Sequence, residues 1–209
     1  GSARVFSVKI DNTTLLQKCR LRHEALKDIP APIVLETHGG VGEVWKRCYS
    51  HLDRGIVFEV RPEKAERLAI QRPSWAVYQS DSEIALAAGA CCEAAVSVLD
   101  VDPYGNAWPV IEAFFGSERK WPARMAVVVN DGLRHKFKTG SGWTVKSIAE
   151  AVLHFGNAAL FPRYLDVCRW LMERRISKAG YRVAKWTGYY CGAGRSMTHY
   201  AALCERTGQ

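Results

Sequence analysis

Short apolar, β-branched runs alternate with segments of helical composition along almost the whole chain, and that alternation leaves few folds open. Runs at 33–35, 55–60, 74–79, 94–101 and 125–129 read as strands. Helical stretches at 43–52, 62–71 and 82–90 separate them, the second opened by Pro62, which suits a first helical turn. A further apolar helix begins near Trp108. Strands joined through helices are expected to run parallel, because a parallel partner is reached by a crossover. After a long loop over 130–143, helices are expected at 145–155 and 164–179. Two last strands follow at 181–187 and 197–205, joined by a glycine-rich link too short for a crossover, so they pair antiparallel. The expected fold is α/β: a doubly wound, mostly parallel seven-stranded sheet with an antiparallel last strand and helices on both faces.

The 209 residues are 48% hydrophobic, enough for one core, and no repeat, linker or low-complexity segment divides them. Residues 1–209 therefore read as a single domain. Gly1 and Ser2 have the look of a tag scar, and 3–30 reads as an N-terminal helical extension. Its helix, over 12–26, carries Lys18, Arg20, Arg22 and His23; it could cover a bound cofactor or touch substrate, and solvent-facing charge is the preferred reading. No apolar run reaches the roughly 20 residues that span a bilayer, and no charged-then-apolar leader is seen, so the expectation is a cytoplasmic chain without a membrane partner. Seven cysteines with no C-x-x-C spacing suggest free thiols in a reducing compartment, and no metal site is expected. The net charge of +8 makes a polyanionic partner worth considering.

Ligands of doubly wound sheets bind outside the carboxyl ends of the strands, where the strand order reverses. The unusual short sequences of this chain fall at those ends. Glu36-Thr37-His38-Gly39-Gly40-Val41-Gly42 follows the first strand and offers backbone that a ligand can approach closely. Glu59 closes the second strand, where a carboxylate can accept both hydroxyls of a ribose. Asp81, after the third, is placed either for an adenine amino group or as the N-cap of the next helix. The fourth strand ends in Asp102-Pro103-Tyr104-Gly105, which either caps a helix or presents chemistry.

In this order the pieces resemble the class I S-adenosylmethionine-dependent methyltransferases, over roughly residues 30–205. Glu36, Gly40 and Gly42 match that family's E/DxGxGxG turn, with His38 where its first glycine usually stands and Gly39 beside it. A dinucleotide-dependent dehydrogenase shares the opening motif but lacks the final hairpin. The resemblance implies S-adenosyl-L-methionine as cofactor, with Glu36, His38, Gly40, Gly42, Glu59 and Asp81 binding it. Asp102-Pro103-Tyr104-Gly105 is similar to the (D/N)PP(Y/F) motif of methyltransferases acting on exocyclic base amines. It is closer still to the Asp-Pro-Phe-Gly pattern of the tRNA guanine-N2 methyltransferases. A conjugated amine is a poor nucleophile. Asp102 and the Pro103 carbonyl would accept its two N–H bonds, and Tyr104 would stack the extruded base.

Arg134, Lys136 and Lys138, interleaved with Phe137 and Trp143 in the 130–143 loop, are expected to hold substrate phosphates, as is Arg195 in the link between the last strands. The basic residues Arg163, Arg169, Arg174, Arg175, Lys178, Arg182 and Lys185 read mostly as an exposed helical face, and no catalytic role is assigned to His38, His51, His154 or His199. The functional expectation is an S-adenosylmethionine-dependent methyltransferase acting on an exocyclic base amine of RNA, guanine N2 in tRNA being one such target. A DNA base N-methyltransferase, a small-molecule methyltransferase and a non-catalytic nucleic-acid-binding protein are the alternatives.

Overall fold

Residues that are neighbours along a strand point to opposite faces of a sheet, so strands covered on both sides are apolar throughout. The computed structural model, which describes residues 14–208, follows this rule. Val34, Val57 and Val98 pack in one core with Leu15, Cys19, Tyr49 and Leu68. Their neighbours Leu35, Phe58 and Leu99 pack in a second, larger core with Trp108, Phe114, Tyr164 and Met172.

Between the two cores runs a seven-stranded sheet. Its strands are β1 (Val34–Glu36), β2 (Gly55–Glu59), β3 (Ala76–Gln79), β4 (Val98–Val101), β5 (Arg124–Asp131), β6 (Tyr181–Cys191) and β7 (Met197–Arg206). The spatial order is β3-β2-β1-β4-β5-β7-β6. β1 to β5 pair parallel, and β7 is inserted antiparallel between β5 and β6. Helices α1 (Leu15–Lys27), α2 (Glu43–Cys48) and α3 (Pro62–Gln71) cover one face. α4 (Ser82–Ala87), α5 (Trp108–Gly116), α6 (Ala149–Phe155), α7 (Asn157–Leu160) and α8 (Tyr164–Ser177) cover the other. This is the doubly wound sheet expected from the sequence. No helix among the described residues is long and apolar enough to cross a membrane.

Several boundaries differ from the sequence reading, each for a tertiary reason. The 130–143 segment is not an open loop. β5 runs on to Asp131, whose Oδ1 accepts the Leu133 N–H at 2.6 Å and starts a 3₁₀ helix over Leu133–Thr139. The α-helix expected from 145 begins only at Ala149, after a 3₁₀ turn over Lys146–Ile148 in which the Ser147 carbonyl accepts from the Arg175 guanidinium at 3.2 Å. β6 continues through Gly188 to Cys191, residues read as link, since Tyr189 and Tyr190 pair with His199 and Thr198. In the N-terminal extension, 1–13 lie outside the described residues, and α1 starts at Leu15.

Candidate active site

The strand order reverses between β1 and β4, and the chain leaves β1 there in a tight turn. The Thr37 N–H donates to the Asp100 carbonyl at 3.0 Å and the Gly39 N–H to the Phe58 carbonyl at 2.9 Å, so the turn is pinned to β4 and β2. A Cβ on Gly39 would lie 2.5 Å from Leu68 Cδ1 and 2.6 Å from Val57 Cγ2. Gly42, with φ of 82°, opens α2 in a conformation that side chains rarely adopt. His38 is exposed and stands 2.7 Å from Thr37 Oγ1 through Nδ1. The turn tolerates a histidine there because Gly39, not position 38, takes the crowded place.

Glu59 braces the turn from β2. Its Oε2 accepts the Gly40 N–H at 2.9 Å and its Oε1 the Arg61 N–H at 3.0 Å. A carboxylate has about four acceptor positions, so each oxygen retains capacity for a ligand hydroxyl. Glu36 is placed otherwise than expected. Its carboxylate turns inward to the buried guanidinium of Arg72, which is sandwiched by Trp45 and Trp75 at 4.8 and 5.0 Å. Burial pushes the Glu36 carboxyl up to about 7, against the pull of Arg72. Of the two roles weighed for Asp81, helix capping is present: Oδ1 accepts the Ile84 N–H at 3.0 Å.

The end of β4 carries two carboxylates on the face under α1. Asp100 is buried and receives Arg22 Nε at 2.6 Å, Arg22 Nη2 at 2.5 Å and the Tyr49 hydroxyl at 2.6 Å. Asp102 receives the Lys18 ammonium at 2.9 and 2.8 Å on its two oxygens. Arg22 and Lys18 are thus not solvent-facing charge; Arg20 and His23 are exposed. Nor does Asp102 cap α5: Asn106 Oδ1 accepts the Trp108 N–H at 3.1 Å instead. Pro103 is half-buried and the Tyr104 ring is fully exposed.

The basic residues divide. Arg134 is buried, donating to the carbonyls of Phe161 and Arg195 at 3.0 and 2.5 Å and lying over the Phe161 and Tyr190 rings at 4.0 and 3.8 Å. It ties the 3₁₀ helix to the β6–β7 turn, and the expectation that it faces a phosphate is corrected. Lys136, Lys138 and Arg195 are exposed. Lys136 borders an open groove of about 620 Å³ that also meets Asn106, Pro109 and Lys146. Arg175, read as part of an exposed face, is buried against Glu150 and Ser147.

Sequence reasoning preferred the exposed reading for Lys18 and Arg22, and it gave no place to Asp100, Arg72 and Asn130 or to a buried His199. Asp100 carried a signal: an acid inside an apolar strand needs a buried partner.

Neither a protein-family model nor a curated protein matches the sequence. Solved structures match the fold. Trm1 from Pyrococcus horikoshii, in complex with S-adenosyl-L-methionine, superposes with a TM-score of 0.65 at 10% identity, over 93% of this chain and 55% of that one. The chain thus spans about half the length of that protein. N-methyltransferase NodS from Bradyrhizobium japonicum WM9, in complex with S-adenosyl-L-homocysteine, gives 0.59 at 10% identity over 95% and 90%. M. jannaschii TYW2, in complex with AdoMet, gives 0.54 at 9% identity over 98% and 80%. At these identities the likeness is one of fold: the sheet is the Rossmann-like sheet of these proteins.

Proposed function

We propose that the chain is an S-adenosyl-L-methionine-dependent methyltransferase acting on an exocyclic amine of a base in RNA. The observation that carries the reading is the end of β4. There a carboxylate free of capping duty, a rigid proline and a wholly exposed aromatic ring stand one after another, beside the switch point. The fold it shares with proteins solved with this cofactor or its demethylated product supports the choice of cofactor.

The residues fit such a ligand. At Gly40 the space where a side chain would stand is open, so the backbone there can be approached closely, and Glu59 keeps acceptor capacity for two ribose hydroxyls. When bound, the cofactor supplies an electrophilic methyl group on a sulfonium. Glu36 contributes from beneath, through Arg72, by holding the base of the turn rather than by touching the ligand. Asp102 and the Pro103 carbonyl accept the two N–H bonds of the amine and aim its lone pair at the methyl group. With the cofactor bound, the new N–C bond would form as the methyl's bond to sulfur breaks, its electron pair remaining on sulfur, and Asp102 would take the proton that the amine sheds. Tyr104 stacks the base. An aromatic ring standing fully in solvent favours a large, flat, extruded partner over an enclosed small molecule. Lys136, Lys138 and Arg195 are the exposed cations of the same rim and suit an RNA backbone.

Calorimetry with S-adenosyl-L-methionine, then methyl transfer to tRNA, rRNA and DNA pools with nucleoside analysis of the product, tests the reading. Binding together with an N-methylated base in RNA is expected. Absence of cofactor binding, or methylation of no nucleic acid, overturns it.

A further inference from the structure

One rung of polar side chains crosses the strand ends beneath α1. The last residue of β4, Val101, is paired with Val129 of β5, so the next rung sets Asp102 beside Asn130. Asn130 pairs with His199 of β7, and His199 with Tyr189 of β6. Partners across strands share a face, here the face on which Arg22 of α1 meets Asp100. His199 is buried, as is Asn130, and neither Oδ1 nor Nδ2 of Asn130 has a hydrogen-bond partner among the described residues. A buried carboxamide orphaned at both atoms is costly, and carrying the β4–β5 register one residue past Val101 puts the Asn130 backbone one strand spacing, about 4.8 Å, from that of Asp102.

We propose that Asn130 determines which base is accepted, by reading the ring edge next to the amine held by Asp102; this rests on the reading of the chain as a base N-methyltransferase. The bases with an exocyclic amine differ in the atoms that lie beside it on that edge. Guanine presents the N2 amine, then the N1–H donor, then the O6 acceptor. Adenine presents its amine, an acceptor nitrogen and a C–H; cytosine its amine and two acceptors. A carboxylate with a planar carboxamide next to it matches guanine atom by atom: N2–H to Asp102, N1–H to Asn130 Oδ1, O6 to Asn130 Nδ2. With adenine or cytosine, Oδ1 faces a C–H or a second acceptor and stays orphaned. Binding of the base edge requires Lys18 to leave Asp102 and the buried Asn130 carboxamide to be uncovered; the lysine side chain, 21% exposed, has water to move into.

The test uses the tRNA position that the wild type methylates, placed in a short oligoribonucleotide carrying either guanine or 2-aminopurine. 2-Aminopurine keeps the N2 amine but lacks both N1–H and O6. The wild type is expected to prefer guanine by about 10–100-fold in kcat/KM, the range of one bidentate base contact. Asn130→Ala and Asn130→Leu should bring the two substrates together, with cofactor affinity unchanged and Tm not lowered, because an orphaned group has been removed. A guanine preference that survives both substitutions overturns the proposal. Methylation of adenine or cytosine instead of guanine also overturns it, and leaves the reading as a base N-methyltransferase intact. Methylation of no base in any pool ends both.

Discussion

Replacing Asp102 separates chemistry from support. In Asp102→Ala the Lys18 ammonium loses contacts at 2.8 and 2.9 Å from a pair whose side chains are 21% and 20% exposed. Fully exposed pairs contribute about 0.2–1 kcal/mol, and breaking a buried one costs about 3–5 kcal/mol. Lys18 can swing into water, so the cost falls near the exposed limit, about 1 kcal/mol. For a chain of this size that is a fall in Tm of about 2–4 °C. No cap is lost, because Asn106 serves the start of α5. Turnover should drop by at least about 100-fold, the lower range for a positioned proton acceptor, with cofactor affinity unchanged. Melting, calorimetry and methyl transfer to a tRNA pool measure the three quantities on one variant. A protein that melts lower, binds cofactor and still turns over fully would refute the role given to Asp102. The partner change, Lys18→Met, removes the competitor for the carboxylate and should lower KM by about fivefold, the same 1 kcal/mol expressed as a population. A raised KM would show instead that Lys18 holds substrate.

Glu59→Ala should weaken S-adenosyl-L-methionine binding by about 1.5–3 kcal/mol, and calorimetry that finds no change removes the residue from the site. Replacing Lys136, Lys138 and Arg195 together should flatten the salt dependence of RNA binding by about 2 in log–log slope, each phosphate contact in a single strand contributing about 0.7. Arg134→Ala should leave that slope alone and lower Tm, since its guanidinium spans two carbonyls inside the protein. His199 gives a pH signature. Burial holds its pKa at about 3, below the ordinary 6.5, so the unfolded chain takes up the proton first. Stability is then fully present above pH 6.5 and is lost as pH falls toward 3. At pH 5 the loss is about 2 kcal/mol, 1.5 pH units at about 1.36 kcal/mol each. His199→Gln should flatten the fall in Tm between pH 7.5 and 5; an unaltered fall assigns it to other groups.

The sheet was legible because parallel strands covered on both faces have no polar side to hide: Val34 and Leu35, Val57 and Phe58, Val98 and Leu99 go to different cores yet are all apolar. The ends of elements were not, where distant residues decide them. Nothing local in 133–139 announces a 3₁₀ helix. Its start depends on the Asp131 carboxylate, buried against Tyr164 and Tyr200 and pushed up to about 6 by that burial. Its anchor, Arg134, reads like the lysines beside it until Phe161, Tyr190 and the Arg195 carbonyl are brought to it from other elements.

The position of the proposed site residues at the strand ends was legible for the same geometric reason: in this fold the carboxyl ends form the rim, so a glycine turn, Glu59 and Asp102 had one place to be. The cover over that rim was legible only as the less favoured of two readings of the N-terminal helix. Charge on a helix usually belongs to water, and Lys18 and Arg22 taken alone give no reason to depart from that. The sign lies in two spacings considered together. Four residues of helix separate the cations by about 6 Å, and two residues of strand separate Asp100 from Asp102 by about 6.6 Å. Leu15 and Cys19, buried on the same stripe, turn those cations toward the sheet. A helix carrying two cations at that spacing matches a strand end carrying two acids, and one pair is buried while the other stays a fifth exposed. The buried pair fixes α1 in place, since breaking it would strand a charge. The partly exposed pair holds the carboxylate proposed to take the amine. Access to Asp102 is therefore set by the weaker of two ion pairs on one helix, and Lys18 can yield while Arg22 holds.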